Sequence, residues 1–172
     1  NFANSCIVNT GVGNLALRVN NSGDYNTAMG DASLQANTTG QFNEAFGFRA
    51  LYSNISGSYN SAFGTRALNS NTIGSQNVAV GHNTLELNST GNGNVALGFQ
   101  AAYSNSGDDN VAIGNQALYS NTASQNIAIG AHALQANLTG NNNTAVGGGA
   151  LKTNTMGTFN AALGADADVA NN

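Results

Sequence analysis

Small apolar residues, asparagine and glycine recur along this chain with a fixed period. The motif Asn-x-Ala-apolar-Gly occurs ten times, with Gly replacing Ala in the first copy, at steps of 17 residues and two steps of 16. In register the unit reads N-x-A-φ-G-x-x-A-L-x-x-N-x-x-G-x-x, where φ is apolar, and residues are described below by their position in it. The ten motifs begin at Asn9, Asn26, Asn43, Asn60, Asn77, Asn94, Asn110, Asn126, Asn143 and Asn160.

The period predicts the fold class. A helical repeat needs roughly 30 residues for two helices, whereas 17 residues suffice for one coil of a β-solenoid. We therefore predict an all-β fold, a parallel β-solenoid (β-roll) of ten coils, with residues 1–172 as a single repeat domain. Each coil should hold two short strands, at positions 1–5 and 7–10, with Gly and Asn at the corners. At a spacing of ~4.8 Å the stack would be a rod about 50 Å long.

Position 12 is Asn in all ten units. Equal positions on successive coils lie above one another, so these amides can hydrogen-bond along the rod axis. We interpret the column as a structural ladder, although several of its members, such as Asn37, Asn54, Asn88 and Asn137, also begin N-glycosylation sequons. The ladder comprises Asn20, Asn37, Asn54, Asn71, Asn88, Asn105, Asn121, Asn137, Asn154 and Asn171.

Position 4 carries a large apolar residue in every unit. Side chains alternate across a strand, so positions 2 and 4 share a face, and Glu44 at position 2 would not be tolerated unpaired inside. An outward apolar stripe exceeds what a monomer usually exposes, which indicates an oligomer interface, with about three rods around an axis. The alternative is a bulged strand whose stripe fills the solenoid's own core. The stripe is Val12, Met29, Phe46, Phe63, Val80, Leu97, Ile113, Ile129, Val146 and Leu163.

Charge and cysteine content exclude several classes of protein. Charged residues make up 7% of the chain, the net charge is −4, and four Lys and Arg residues cannot neutralise several phosphates, so we expect no nucleic acid partner. No run reaches the ~18 apolar residues of a membrane span, and we expect no membrane insertion. The single Cys6 has no internal disulfide partner and is interpreted as a small buried hydrophobe.

Catalytic and metal-binding patterns are lacking. His82 and His132 belong to coils three apart and cannot share a metal, and the acidic pair Asp108 and Asp109 lacks the glycine-rich nonapeptide of calcium rolls. Neither His has a Ser or Asp at a recurring offset that would suggest a nucleophile and its base. We therefore expect no catalytic residues, no cofactor and no metal, and a protein that is not an enzyme.

The strand motifs resemble those of a known family. NVAVG at Asn77, NVAIG at Asn110 and NIAIG at Asn126 are similar to the N-S-V-A-I-G strand in the heads of trimeric autotransporter adhesins, and to related fibre modules of bacteria and phages. The resemblance implies a left-handed parallel β-roll, three chains around one axis, and a role in surface attachment. This chain departs from the family in its longer unit and in the N-x-x-G loop at positions 12 to 15.

These observations lead to one expected function and two alternatives. We expect a structural extracellular fibre or filament module that is used in surface adhesion, with itself as partner, in a homotrimer or an end-to-end filament. A host or surface receptor is the second expected partner, and the expected location is the cell surface or a virion fibre. The first alternative is a receptor-binding tail-fibre domain of a phage or injection system. The second is an ice-binding solenoid, suggested by Thr and Ser at positions 13 and 14.

Overall fold

A computed structural model describes residues 8–168, so Cys6 and Asn171 lie outside the described range. Within that range every regular element is a β-strand, and nothing helical is long and apolar enough to cross a bilayer. The strands are β1 (Thr10–Val12), β2 (Thr27–Met29), β3 (Glu44–Phe46), β4 (Ser61–Phe63), β5 (Val78–Val80), β6 (Val95–Leu97), β7 (Ser104–Asn105), β8 (Val111–Ile113), β9 (Ser120–Asn121), β10 (Ile127–Ile129), β11 (Thr144–Val146) and β12 (Ala161–Leu163).

The prediction of a parallel β-solenoid is confirmed. Ten strands form one sheet in the order β1-β2-β3-β4-β5-β6-β8-β10-β11-β12, and the chain makes about nine turns between the first strand and the last. Each strand pairs in parallel with the equivalent strand of the next coil, so equal repeat positions face each other, as Ala45 faces Ala62. We number the coils 1 to 10 by the strand of this sheet with which each begins.

The core of the rod is narrow and built from small residues. Along β2 the side chain of Ala28 is fully buried, while Thr27 is half-buried and Met29 is exposed. The later strands of the ten-stranded sheet, β3 to β6, β8 and β10 to β12, also bury their central alanine. Alanine at positions 3 and 8 packs against leucine at position 9, for example Leu34 and Leu51, which have no exposed surface. Alanine permits the close approach of the two walls, and leucine fills the remaining space.

The predicted second strand at positions 7–10 is wrong. Its residues form turns, because the backbone at positions 7 and 9 is left-handed, with φ of 47° at Leu34 and 51° at Leu51. The turns still bond from coil to coil, and the Leu34 N–H donates to the Ala50 carbonyl at 3.0 Å. Only β7 and β9 form a second sheet among the described residues, and they lie in the two coils of 16 residues.

Glycine at position 5 is dictated by two local constraints. Gly30 has φ of 138°, a conformation that L side chains rarely adopt, and a Cβ built on it would lie 2.5 Å from the Gly47 carbonyl oxygen of the next coil. Equivalent contacts recur along this column, so the corner after the strand admits no side chain where another coil lies above it.

Candidate functional site

The position-12 asparagines lie inside the rod and bond in two directions. The Nδ2 of Asn54 donates to Asn37 Oδ1 of the preceding coil at 2.7 Å and to the Gly57 carbonyl of its own loop at 2.9 Å. The same pair of bonds recurs at Asn71, and the side chains of this column are buried from Asn20 to Asn154. Asn171, assigned to the same ladder, lies outside the described residues.

A second internal ladder is formed by the asparagines at position 1. The Oδ1 of Asn43 accepts the backbone N–H of Asn60 at 3.0 Å and its Nδ2 at 3.1 Å, while Asn60 Nδ2 also donates to the Gly74 carbonyl at 2.9 Å. The buried amides of this column are thereby paired with one another and with backbone groups. Because the Nδ2 atoms of the position-12 sequons are buried and engaged in the same way, the folded rod does not present them for glycosylation.

The position-4 stripe lies on the outer surface of the ten-stranded sheet. Met29 is 42% exposed and Leu97 is 47% exposed, whereas Phe46, Val80 and Ile113 are half-buried. The alternative in which the stripe fills the solenoid's own core is wrong, because the alanine at position 3 occupies that side of each strand. We call the outer surface formed by positions 2 and 4 the sheet face.

The sheet face changes character along the rod. In coils 5 to 8 both positions are aliphatic, so that eight Val, Leu and Ile side chains form one continuous surface. In coils 3 and 4 an aromatic pair replaces them, with the rings of Phe46 and Phe63 stacked at 4.8 Å, and position 2 becomes polar. There the Ser61 hydroxyl donates to Glu44 Oε2 at 2.6 Å.

An aromatic column beside the sheet face was not predicted from the sequence. Tyr25, Phe42 and Tyr59 occupy position 17 of successive coils, and their rings stack at 4.8 Å and 5.1 Å. All three are exposed. The column ends at Gln76, and the aromatic signal is too short to appear in the consensus of ten units.

Beyond the glycine corner lies a polar surface that sequence analysis also missed. Its side chains come from positions 7 and 10, which we call the flank. They contact one another between neighbouring coils: Gln116 Nε2 donates to Gln100 Oε1 at 2.8 Å, and Gln135 Nε2 donates to Gln116 Oε1 at 3.0 Å. An Arg66 nitrogen in coil 4 lies 3.6 Å from Glu86 Oε1 in coil 5.

The residues considered for metal binding remain apart. His82 stacks on Phe99 at 5.7 Å, and Asp108 Oδ1 accepts the backbone N–H of Asn92 at 2.7 Å. Between residues 8 and 168 no three metal-ligating side chains are close enough to hold an ion. The role of Asp108 is structural, since position 16 of successive coils supplies an oxygen to the backbone N–H below it.

Comparison with known proteins adds no relative. No family model, curated protein or solved structure matches this chain. The fold and its surfaces are therefore the basis for the function proposed below.

Proposed function

We propose that this chain is a structural extracellular fibre module, a rigid rod that associates with copies of itself through the sheet face and serves in surface adhesion. The single observation that supports the proposal most is the outward apolar stripe at position 4. It runs along the described part of the rod without interruption from Val12 to Leu163.

The size of the sheet face favours a second copy as its cover. Together with the aliphatic residues of position 2, its apolar side chains expose an area on the order of 1,000 Å², more than the few hundred Å² usual for a monomer. A standard interface buries ~800 Å² on each partner, so the face is large enough for stable association. Its regular coil spacing suits an identical face, because equal side chains then meet at equal heights.

A homotrimer is the arrangement that we favour. A narrow strip of apolar residues along a rod can be covered completely when three rods meet around one axis, and closed symmetry leaves no strip exposed. The resemblance to the heads of trimeric autotransporter adhesins points in the same direction. A receptor-binding tail-fibre domain of a phage or injection system remains the alternative setting for the module.

Ice binding has less support from the geometry. The Thr38 hydroxyl donates to the Ile55 carbonyl at 2.9 Å and the Thr122 hydroxyl to the Leu138 carbonyl at 2.7 Å. These hydroxyls are engaged with the next coil, and exposed Ile55 and Leu138 interrupt the threonine array at position 13. The sheet face carries too few hydroxyls for an ordered lattice of water.

The test is the molar mass of the purified chain and of a double variant. Phe46→Asp with Phe63→Asp places two charges on the sheet face, and we expect wild-type trimers to become monomers when measured by light scattering. Phe48→Asp with Phe99→Asp is the matched control, since both residues are exposed phenylalanines at position 6, outside the face. A monomeric wild type, or a sheet-face variant that keeps the wild-type mass, would overturn the proposal.

Electron microscopy of the same wild-type sample distinguishes the two forms of self-association. Discrete particles about 50 Å long at every concentration are expected for a trimer alone. Unbranched fibres that lengthen with concentration, with an axial repeat of ~4.8 Å, would show that the rods also stack end to end.

A further inference from the structure

The basic residues of the chain are confined to the flank. All four occupy position 7 or 10, which are two of the seventeen positions in the unit: Arg18, Arg49, Arg66 and Lys152. Only two of the eight acidic residues, Glu86 and Asp166, share these positions. The flank therefore has a net charge of +2, from four basic and two acidic side chains, and the remaining six acidic residues lie in other columns.

This separation leaves basic side chains without acidic partners. Between residues 8 and 168 the one ion pair joins Arg66 to Glu86 at 3.6 Å. Arg18 and Lys152 are exposed and lie outside ion-pair distance of every acidic group in that range. Because the chain has twice as many acidic as basic residues, basic groups that still remain unpaired are available to an external anion.

Arg49 is also unpaired, and two aromatic rings hold its side chain. The guanidinium carbon Cζ lies 5.2 Å from the centroid of the Phe48 ring and 5.1 Å from that of the Tyr52 ring. Cation–π contacts of this kind fix the position of a guanidinium and leave N–H donors for an anion. Arg49 makes no side-chain hydrogen bond within the described residues, so it is a positioned cation with free donors.

Three of the four basic residues follow one another closely along the rod axis. Arg18, Arg49 and Arg66 belong to coils 1, 3 and 4, which span about 14 Å at the spacing of parallel strands. We call these three residues the basic strip. Lys152 in coil 9 is about 24 Å further along and is not part of it. A narrow line of three cations suits an extended anionic polymer, whereas binding to an anionic membrane typically uses clusters of about four to eight.

We propose that the basic strip binds an acidic polysaccharide, with uronic acid carboxylates placed against the three guanidinium groups. A carboxylate matches the paired N–H donors of arginine, and such charge-assisted hydrogen bonds are stronger than those between neutral groups. The polymer lies along the outside of the flank, where Arg18 is exposed and Arg66 is 44% exposed. Nucleic acid is a poorer occupant, since three cations neutralise few of its closely spaced phosphates.

A second copy of this chain is also a poorer occupant of the basic strip. Its acidic side chains do not form a matching line, because those outside the flank are distributed over several columns. Some of them are engaged within the chain: Asp31 Oδ1 accepts a hydrogen bond from Asn14 Nδ2 at 2.9 Å, and Glu44 Oε2 accepts one from the Ser61 hydroxyl at 2.6 Å. An external polyanion therefore complements the strip better than the rod itself does.

The inference rests on the adhesive use in the proposed function but not on the trimer. Positions 7 and 10 lie beyond the glycine corner from the sheet face, so the basic strip stays accessible in an assembly that covers that face. A trimer would present three strips, and contacts that are weak one by one would act together on a long polymer.

The experiment measures binding of the intact wild-type chain to immobilised polygalacturonate by biolayer interferometry, at about 0.1 M salt, where charges are screened over about 10 Å. We expect a dissociation constant on the order of 100 μM, and loss of binding at about 1 M salt. Arg18→Gln with Arg49→Gln removes two unpaired cations while Arg66 stays beside Glu86, and this variant should bind at least tenfold more weakly.

The matched control is Asn115→Asp with Gln125→Glu. Both residues are exposed in coil 7, three coils beyond Arg66, and the pair changes the net charge from −4 to −6 as the arginine variant does. The control should bind within about twofold of the wild type, because the added charges lie beyond the screening length from the basic strip.

Failure of the folded wild type to bind polygalacturonate would overturn the proposal. So would wild-type affinity in the arginine variant, or equal losses in the two variants, which would attribute binding to net charge alone. Binding to vesicles that contain phosphatidylserine but not to polygalacturonate would assign the strip to a membrane surface and overturn it as well. Circular dichroism of each variant separates loss of the site from loss of the fold. Because molar mass reports on the sheet face, failure here leaves the proposed self-association intact, and the reverse also holds.

Discussion

The inner and outer columns of the rod obey different rules. Inside, positions 1, 3, 5 and 12 keep nearly the same residue in every described coil, and the asparagine side chains of positions 1 and 12 bond to their copies in the neighbouring coils. Outside, positions 7 and 10 hold Arg, Asn, Gln, His, Glu and Tyr in an order without a period. The difference teaches that repetition in this molecule specifies the fold, while departures from repetition mark where a partner can be recognised.

The strongest test of this difference between inner and outer columns is to place a charge in an inner column. Asn71→Asp removes the Nδ2 atom that donates to Asn54 Oδ1 and to the Gly74 carbonyl, and it sets carboxylate oxygens against both acceptors. We expect a loss of about 4 kcal/mol in the free energy of unfolding, or no folded protein at neutral pH. Asn115→Asp at exposed position 6 is the control and should change stability by less than about 0.5 kcal/mol.

Chemical denaturation of the two variants side by side gives the measurement. Since the Asn71 column is buried, the damage should diminish in acid, where the introduced carboxyl is neutral and can donate again. Equal unfolding midpoints for Asn71→Asp and Asn115→Asp would show that the inner ladder contributes little to stability.

Replacing either of two adjacent glycines by alanine tests the same difference between inner and outer columns with a single methyl group. Gly147 at position 5 has φ of 137°, and a Cβ there would overlap the Gly164 carbonyl, whereas a Cβ on Gly148 would meet only the Ala131 oxygen, at 3.9 Å. Gly147→Ala should therefore cost about 3 kcal/mol, and Gly148→Ala should be neutral to within about 0.5 kcal/mol. Thermal unfolding followed by circular dichroism compares them, and similar melting temperatures would contradict the steric argument.

The repeat pattern predicted the solenoid because its inner columns are uniform. The sequence and the structure assign the same roles to alanine at position 3, which points into the core, and to asparagine at position 12, which forms a ladder. The second strand failed at position 9, because leucine normally avoids the left-handed region that Leu34 and its equivalents adopt. Coil-to-coil hydrogen bonds at these turns stabilise a conformation that local preference disfavours, and no single unit of sequence reveals them.

The contacts of the flank could not be predicted, since they depend on which residues neighbour one another between coils rather than on a motif. Glu86 looks like one variable position among others until it is stacked between Asn69 and Tyr103. The sheet face was predicted in part, unlike the inner columns, which were predicted fully, and the flank, which was not predicted. Its alternation was readable from Glu44 and the position-3 alanines, but its division into aromatic and aliphatic stretches emerged only when the strands were placed in register.

Position 16 shows that an outer column can still belong to the scaffold, and it gives the smallest expected effect. The column varies among Ser, Thr, Asn, Asp and Gln, yet oxygens of this column accept backbone N–H groups of the coil below. The Gln41 N–H donates to Ser58 Oγ at 3.0 Å, and the Ser58 N–H donates to Ser75 Oγ at 3.1 Å. Ser58→Ala leaves the Gln41 N–H without that acceptor, and because this donor is exposed to water we expect a loss of only about 1 kcal/mol. Ser56→Ala in the same loop removes a hydroxyl from an exposed residue while leaving the Gln41 bond intact, so its unfolding midpoint should match the wild type. We expect hydrogen exchange of the Gln41 amide to be faster in Ser58→Ala and unchanged in Ser56→Ala, which locates the effect at this bond. Unchanged exchange in both variants would show that position 16 is free to vary for recognition and is not part of the scaffold.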